Sequence, residues 1–154
     1  MSCKSILDQI ELAISTTIDM VGTLSEADLQ KRPTLDKHSI GELLEHIAII
    51  CEADWRISKE ASEKEMQSFY AGVSYKTLDD IKEGLIKNFN ALKTNYMQLT
   101  VEQLNKQTTS YWGATYTRYE WLIEILAHVY HHRGQLHAML VHCSKKDPKI
   151  ILFN

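Results

Sequence analysis

The chain has 154 residues, 44% of them hydrophobic and 24% charged, with a formal net charge of −3. That length suits one hydrophobic core, so a single domain over residues 1–154 is expected, and the balance excludes a chain disordered throughout. A negative balance offers no general field for phosphate backbones, which disfavours nucleic-acid partners, and two prolines with six glycines are too few breakers for a many-stranded sandwich or barrel.

In chain order, the opening segment Met-Ser-Cys-Lys-Ser-Ile-Leu-Asp has an acid where a signal peptide would carry its apolar run. No later apolar stretch reaches the ~18 residues of a membrane span. A cytoplasmic protein without a membrane partner is expected. Cys3, Cys51 and Cys143 are an odd number without a C-x-x-C pair and read as reduced, buried thiols.

The first amphipathic stretch carries Leu7, Ile10, Ile14, Thr17 and Val21. After a connection over 23–38 the second carries Leu43, His46, Ile50, Ala53 and Ile57. A connection over 68–76 precedes the third, with Leu78, Ile81, Leu85, Phe89, Leu92, Tyr96 and Leu99. Beyond a connection over 100–116 the fourth carries Trp121, Ile125, His128, His132, Gln135 and Met139. Steps of three and four mark helices that pack along one seam. Start signals pair a hydroxyl with an acid or Gln three residues on: Ser25/Asp28, Ser39/Glu42, Thr77/Asp80, Thr100/Gln103 and Thr117/Glu120. Two of these predict short helices inside the first and last connections. The expected fold is all-α, a four-helix bundle with long crossover connections.

Three seam positions are histidines. His128 and His132 stand one turn apart on one face, and His46 faces the core from the second helix. An unpartnered buried imidazole costs about 1–3 kcal/mol, so three in one small core call for a shared ligand, and a divalent metal supplies it. Val129 follows His128, so H-E-x-x-H and its adjacent general base are missing, and no E-x-x-H occurs to build a di-iron site. A mononuclear site with three protein nitrogens and open positions remains. Neutral imidazoles suit zinc, nickel, copper or iron alike; zinc or nickel is the expected ion, with iron or manganese next. His131 is expected to face a neighbour or solvent, His137 and His142 solvent, and His38 lies too early to share the His46 face. Glu124, one turn before His128, and Asp54, two turns after His46, are the candidate general bases but read more simply as surface charges, as do Lys145, Lys146 and Lys149 on a solvated tail. Gly134 in mid-helix suggests a close helix approach.

The run His128-Val-Tyr-His-His132-Arg133-Gly134-Gln135, preceded by Ser39-Ile-Gly-Glu-Leu-Leu-Glu-His46, resembles the H-x-x-x-H-R-G-Q signature and its companion in the DinB/YfiT-like metal-dependent superfamily. The likeness extends over nearly the whole chain, with His38 where relatives often have Trp. It implies a four-helix bundle, often a homodimer, holding a divalent metal on His46, His128 and His132. It also implies a small-molecule substrate and, as in the family's mycothiol- and bacillithiol-dependent enzymes, a low-molecular-weight thiol as cosubstrate. The expected function is thiol S-transfer or hydrolysis on a small molecule, with the general acid and base unassigned. The alternatives are a non-catalytic dimeric bundle that binds a metal or ligand, and a vestigial site.

Overall fold

The structure, a computed structural model, describes residues 2–154. Its elements are α1 (Lys4–Val21), a 3-10 turn (Glu26–Gln30), α2 (Ile40–Ile57), α3 (Glu63–Gly72), α4 (Leu78–Met97), α5 (Val101–Asn105), β1 (Gln107–Thr109), β2 (Thr115–Thr117), α6 (Arg118–Ala138) and a π-turn (Met139–Cys143). The four long helices are the four amphipathic stretches. They pack in a ring, α1 against α4 and α6, and α2 against the same two. Helices consecutive among the four long ones therefore do not always touch, which is why the connections must cross the ends of the bundle.

Sequence accounts for the helix starts. Ser39, Thr77, Thr100 and Thr117 each accept the backbone N–H of the third helical residue, and Glu42, Asp80, Gln103 and Glu120 return the bond. Ser25 is held by Asp28 in the same manner, its backbone N–H donating to Oδ2 at 2.8 Å. Two elements were not expected. Helix α3 opens on a sixth capping box, Ser62/Glu65, but buries only Met66, so it has too little apolar periodicity to show in the sequence. The β1–β2 hairpin pairs Gln107 with Thr117, Thr108 with Tyr116 and Thr109 with Thr115. Its strands are three residues each, below the length at which alternation is legible.

The main core runs the length of the bundle and includes Leu7, Ile10, Leu44, Ile47, Leu85, Phe89, Ile125 and Leu136. A smaller cluster of Ala53, Ile57, Met66 and Trp121 joins α2, α3 and α6 at one end. There the hairpin is tied down: Trp121 Nε1–H donates to Thr108 Oγ1 at 3.0 Å, and Thr108 Oγ1–H donates to the Ser58 carbonyl at 2.9 Å. Among the described residues no helix is long and apolar enough to cross a membrane.

Beyond the π-turn the last residues lie along the bundle without regular structure. Arg133, only 2% exposed, donates to Thr16 Oγ1 at 3.0 Å and to the Leu152 carbonyl at 2.8 Å. Its guanidinium lies over the rings of Tyr130 and Phe153. Lys146 is not a solvated tail charge as expected: it bonds buried Asp28 at 2.6 Å. Gly134 also departs from expectation, since a Cβ there would meet nothing within 4 Å. Cys3 and Cys51 are buried as free thiols, whereas Cys143 is exposed.

Candidate metal centre

α2 and α6 meet with opposite chain directions, His46 facing His128 and His132 while Ala53 and Ile57, later on α2, reach Trp121, earlier on α6. At this seam His46 Nε2 lies 3.3 Å from His128 Nε2 and 3.1 Å from His132 Nε2. One nitrogen from each ring falls within 4.8 Å of the other two, and all three side chains are partly buried.

Two neighbours decide which nitrogens turn inward. His128 Nδ1–H donates to Asp54 Oδ2 at 2.7 Å, because a carboxylate can only accept. His132 Nδ1–H donates to Gln135 Oε1 at 2.9 Å, an assignment that follows from the amide oxygen facing the ring. In their neutral forms both rings therefore point an Nε2 lone pair at His46. Burial, and then the imidazoles of His132 and His128, pull the His46 pKa down to about 4, so this ring is neutral near pH 7. Burial lowers His132 as well, while the Asp54 bond raises His128.

A divalent ion fits these residues. Three facing imidazole nitrogens cannot satisfy one another, since a single N–H on His46 serves one lone pair and leaves the other. Nitrogens bound at about 2.0–2.1 Å and a tetrahedral angle stand roughly 3.3 Å apart, close to the two spacings observed. Nitrogen donors whose outer N–H groups are held by a carboxylate and an amide are the usual surroundings of metal-binding imidazoles.

The other candidates fall around this centre. Asp54 is not the surface charge that was expected: its side chain is only 14% exposed and is committed to His128. Glu124 is exposed, as expected, and adds a weaker charge that also raises His128. Exposed His131 sets its ring edge-on to His132 with centroids 4.8 Å apart. His38 departs from expectation, its exposed ring lying parallel to that of His46 with centroids 6.5 Å apart. His142 is exposed and His137 partly buried. Sequence reasoning missed the roles of Asp54 and Gln135, although the second stands three residues after His132, within reach on one helix face.

A groove of about 930 Å³ between the end of α2 and α3 is lined by Trp55, Arg56, Lys59, Phe69 and Val73 among others and contains none of the three histidines. Convergent polar groups identify a site better than volume alone, so the histidine cluster is the functional candidate.

The profile of the DinB superfamily matches residues 9–136. The crystal structure of a DinB-family protein from Exiguobacterium sibiricum 255-15 is similar over 99% of both chains, at 29% identity and a TM-score of 0.86. DinB-like proteins from Bacillus cereus ATCC 10987 and Bacillus subtilis share the fold. The first covers 92% of both chains at 18% identity and a TM-score of 0.73. The second covers 92% of this chain and 90% of its own, at 20% identity and a TM-score of 0.69. No curated protein matches the sequence.

Proposed function

This chain belongs to the DinB superfamily, and from that membership and the facing imidazoles we propose that it is a cytoplasmic metal-dependent enzyme acting on a small molecule by thiol S-transfer or hydrolysis. His46, His128 and His132 would hold the ion, zinc or nickel in first place and iron or manganese next, and a low-molecular-weight thiol is the proposed cosubstrate. The homodimeric state implied by the family resemblance belongs to the same reading. A bound divalent ion would supply a Lewis acid able to activate water or hold a thiolate.

The protein's own groups prepare that site. Asp54 and Gln135 fix two rings with their lone pairs inward, and burial keeps His46 unprotonated. Three nitrogens leave coordination positions for substrate. The carrying observation is the trio of Nε2 atoms at ligand spacing with two outer nitrogens already bonded.

Elemental analysis of untagged protein tests it. One divalent ion per chain is expected, lost in His46→Ala and in His128→Ala; metal content unchanged in both variants, or no metal in the parent, would overturn the reading. A second reading, a bundle that binds metal without catalysis, draws on one observation: Asp54 is occupied by His128 and Glu124 faces solvent, so neither is set as a general base. Stoichiometric metal without turnover of thiol-plus-electrophile or ester substrates would select it.

A further inference from the structure

All four exposed tyrosine and tryptophan side chains among the described residues are Tyr70, Tyr111, Trp112 and Tyr116. They gather at the end of the bundle where α3 and the hairpin meet α2 and α6. Tyr111 and Trp112 meet edge to face with centroids 4.8 Å apart, and Trp112 and Tyr116 meet buried Trp121 in the same manner at 6.5 and 5.0 Å. Trp121 precedes His128 by seven residues, two helical turns or about 10 Å, and points within about 20° of the same direction. Tyr70 closes the arc from α3. Burial, with the Asp54 carboxylate and Tyr111 beside it, pushes its hydroxyl pKa up, so the group that orients His128 also neighbours Tyr70.

The loop between the strands is built to hold its rings in place. Ser110 N–H donates to the Ala114 carbonyl at 2.8 Å, Gly113 N–H to the Ser110 carbonyl at 2.9 Å, and Ala114 N–H to Ser110 Oγ at 3.0 Å. Gly113 takes φ +98, which a side chain would strain. Exposed aromatics on a pinned loop give up little entropy when they bind.

Taking the metal-dependent reading above as its basis, we propose that Tyr70, Tyr111 and Trp112 form an aromatic subsite beside the histidine cluster. It takes an aromatic or other planar apolar substituent of the small molecule handled there. Three side chains of 42–56% exposure offer roughly 300 Å² at 150–250 Å² per ring, well short of the ~800 Å² per partner that a stable protein interface needs, so a small-molecule group fits better than a second copy.

Two titrations test the subsite. In metal-free protein the dye 1-anilinonaphthalene-8-sulfonate, read by its fluorescence, is expected to bind saturably, about tenfold more weakly to Trp112→Ala and nearly normally to Trp112→Phe. In zinc-loaded protein 4-phenylimidazole is expected to bind about tenfold tighter than imidazole, a preference lost in Trp112→Ala while imidazole binding holds. Circular dichroism checks that the variants fold. Absence of saturable dye binding, equal binding by parent and Trp112→Ala, or a sedimentation change showing that Trp112→Ala alters assembly instead would overturn the subsite. Failure of the protein to take up zinc would overturn the metal reading alone, and the dye titration would still decide the subsite.

Discussion

Asp54 determines what His128 can offer. By accepting the Nδ1–H at 2.7 Å it fixes both the tautomer and the ring plane, and its charge increases the basicity of the nitrogen on the other side. Asp54→Ala is therefore expected to weaken zinc affinity by roughly 10–100-fold, with Asp54→Asn between it and the parent because an amide oxygen still accepts. Competition with a chromogenic chelator measures this, and an unchanged affinity in the alanine variant would remove Asp54 from the site. At this scale the three histidines were legible because each replaces an apolar residue in a helical seam. Asp54 was not, since a carboxylate eight residues after His46 has the same local pattern whether it meets solvent or an imidazole on another helix.

At the scale of the element, six capping boxes and four apolar stripes show how locally the helices are specified, and two glycines show where neighbours intervene. Gly134 sits in mid-helix with open space where a Cβ would be. Gly134→Ala is expected to raise stability by up to about 1 kcal/mol. Gly84, also helical, faces Tyr75 with a Cβ position only 2.8 Å from Cζ, and the Tyr75 hydroxyl accepts from Asn88 Nδ2 at 3.3 Å. Gly84→Ala must push that ring aside and is expected to cost about 1–3 kcal/mol. Thermal melts of the pair check both signs; two changes in the same direction would refute the contrast. The sequence suggested a close approach at Gly134, whereas the packing of another chain segment puts it at Gly84. A helix propensity can flag a glycine but cannot say what stands opposite it.

Across the whole molecule, Asp28 joins chain regions far apart. Its carboxylate accepts from Lys31 and Lys146 at 2.6 Å each and from the Ser25 backbone N–H at 2.8 Å. The bond to Lys146, then that to Lys31, then the backbone bond hold its pKa well below the usual carboxylate range. A group depressed in the folded state contributes stability above its unfolded pKa of about 3.9, and that stability fades as pH falls toward the folded value. The stability gap between parent and Asp28→Asn is therefore expected to be full at pH 6 and to narrow steadily below about pH 4. Denaturant unfolding across that range measures it, and a gap independent of pH would show that charge is not what links the 3-10 turn to the tail.

Alone, the sequence determined four amphipathic helices, the starts of three of them, and the three histidines that interrupt their seams, because helix periodicity and capping act within a few residues. Tertiary structure alone decided that the three Nε2 atoms face one another, that Asp54 and Gln135 hold the outer nitrogens, and that a polar helix and a short hairpin bring aromatic rings to the same end of the bundle. Those outcomes depend on how α2 and α6 pack and where the crossovers land, and such contacts join residues tens of positions apart that no local pattern relates.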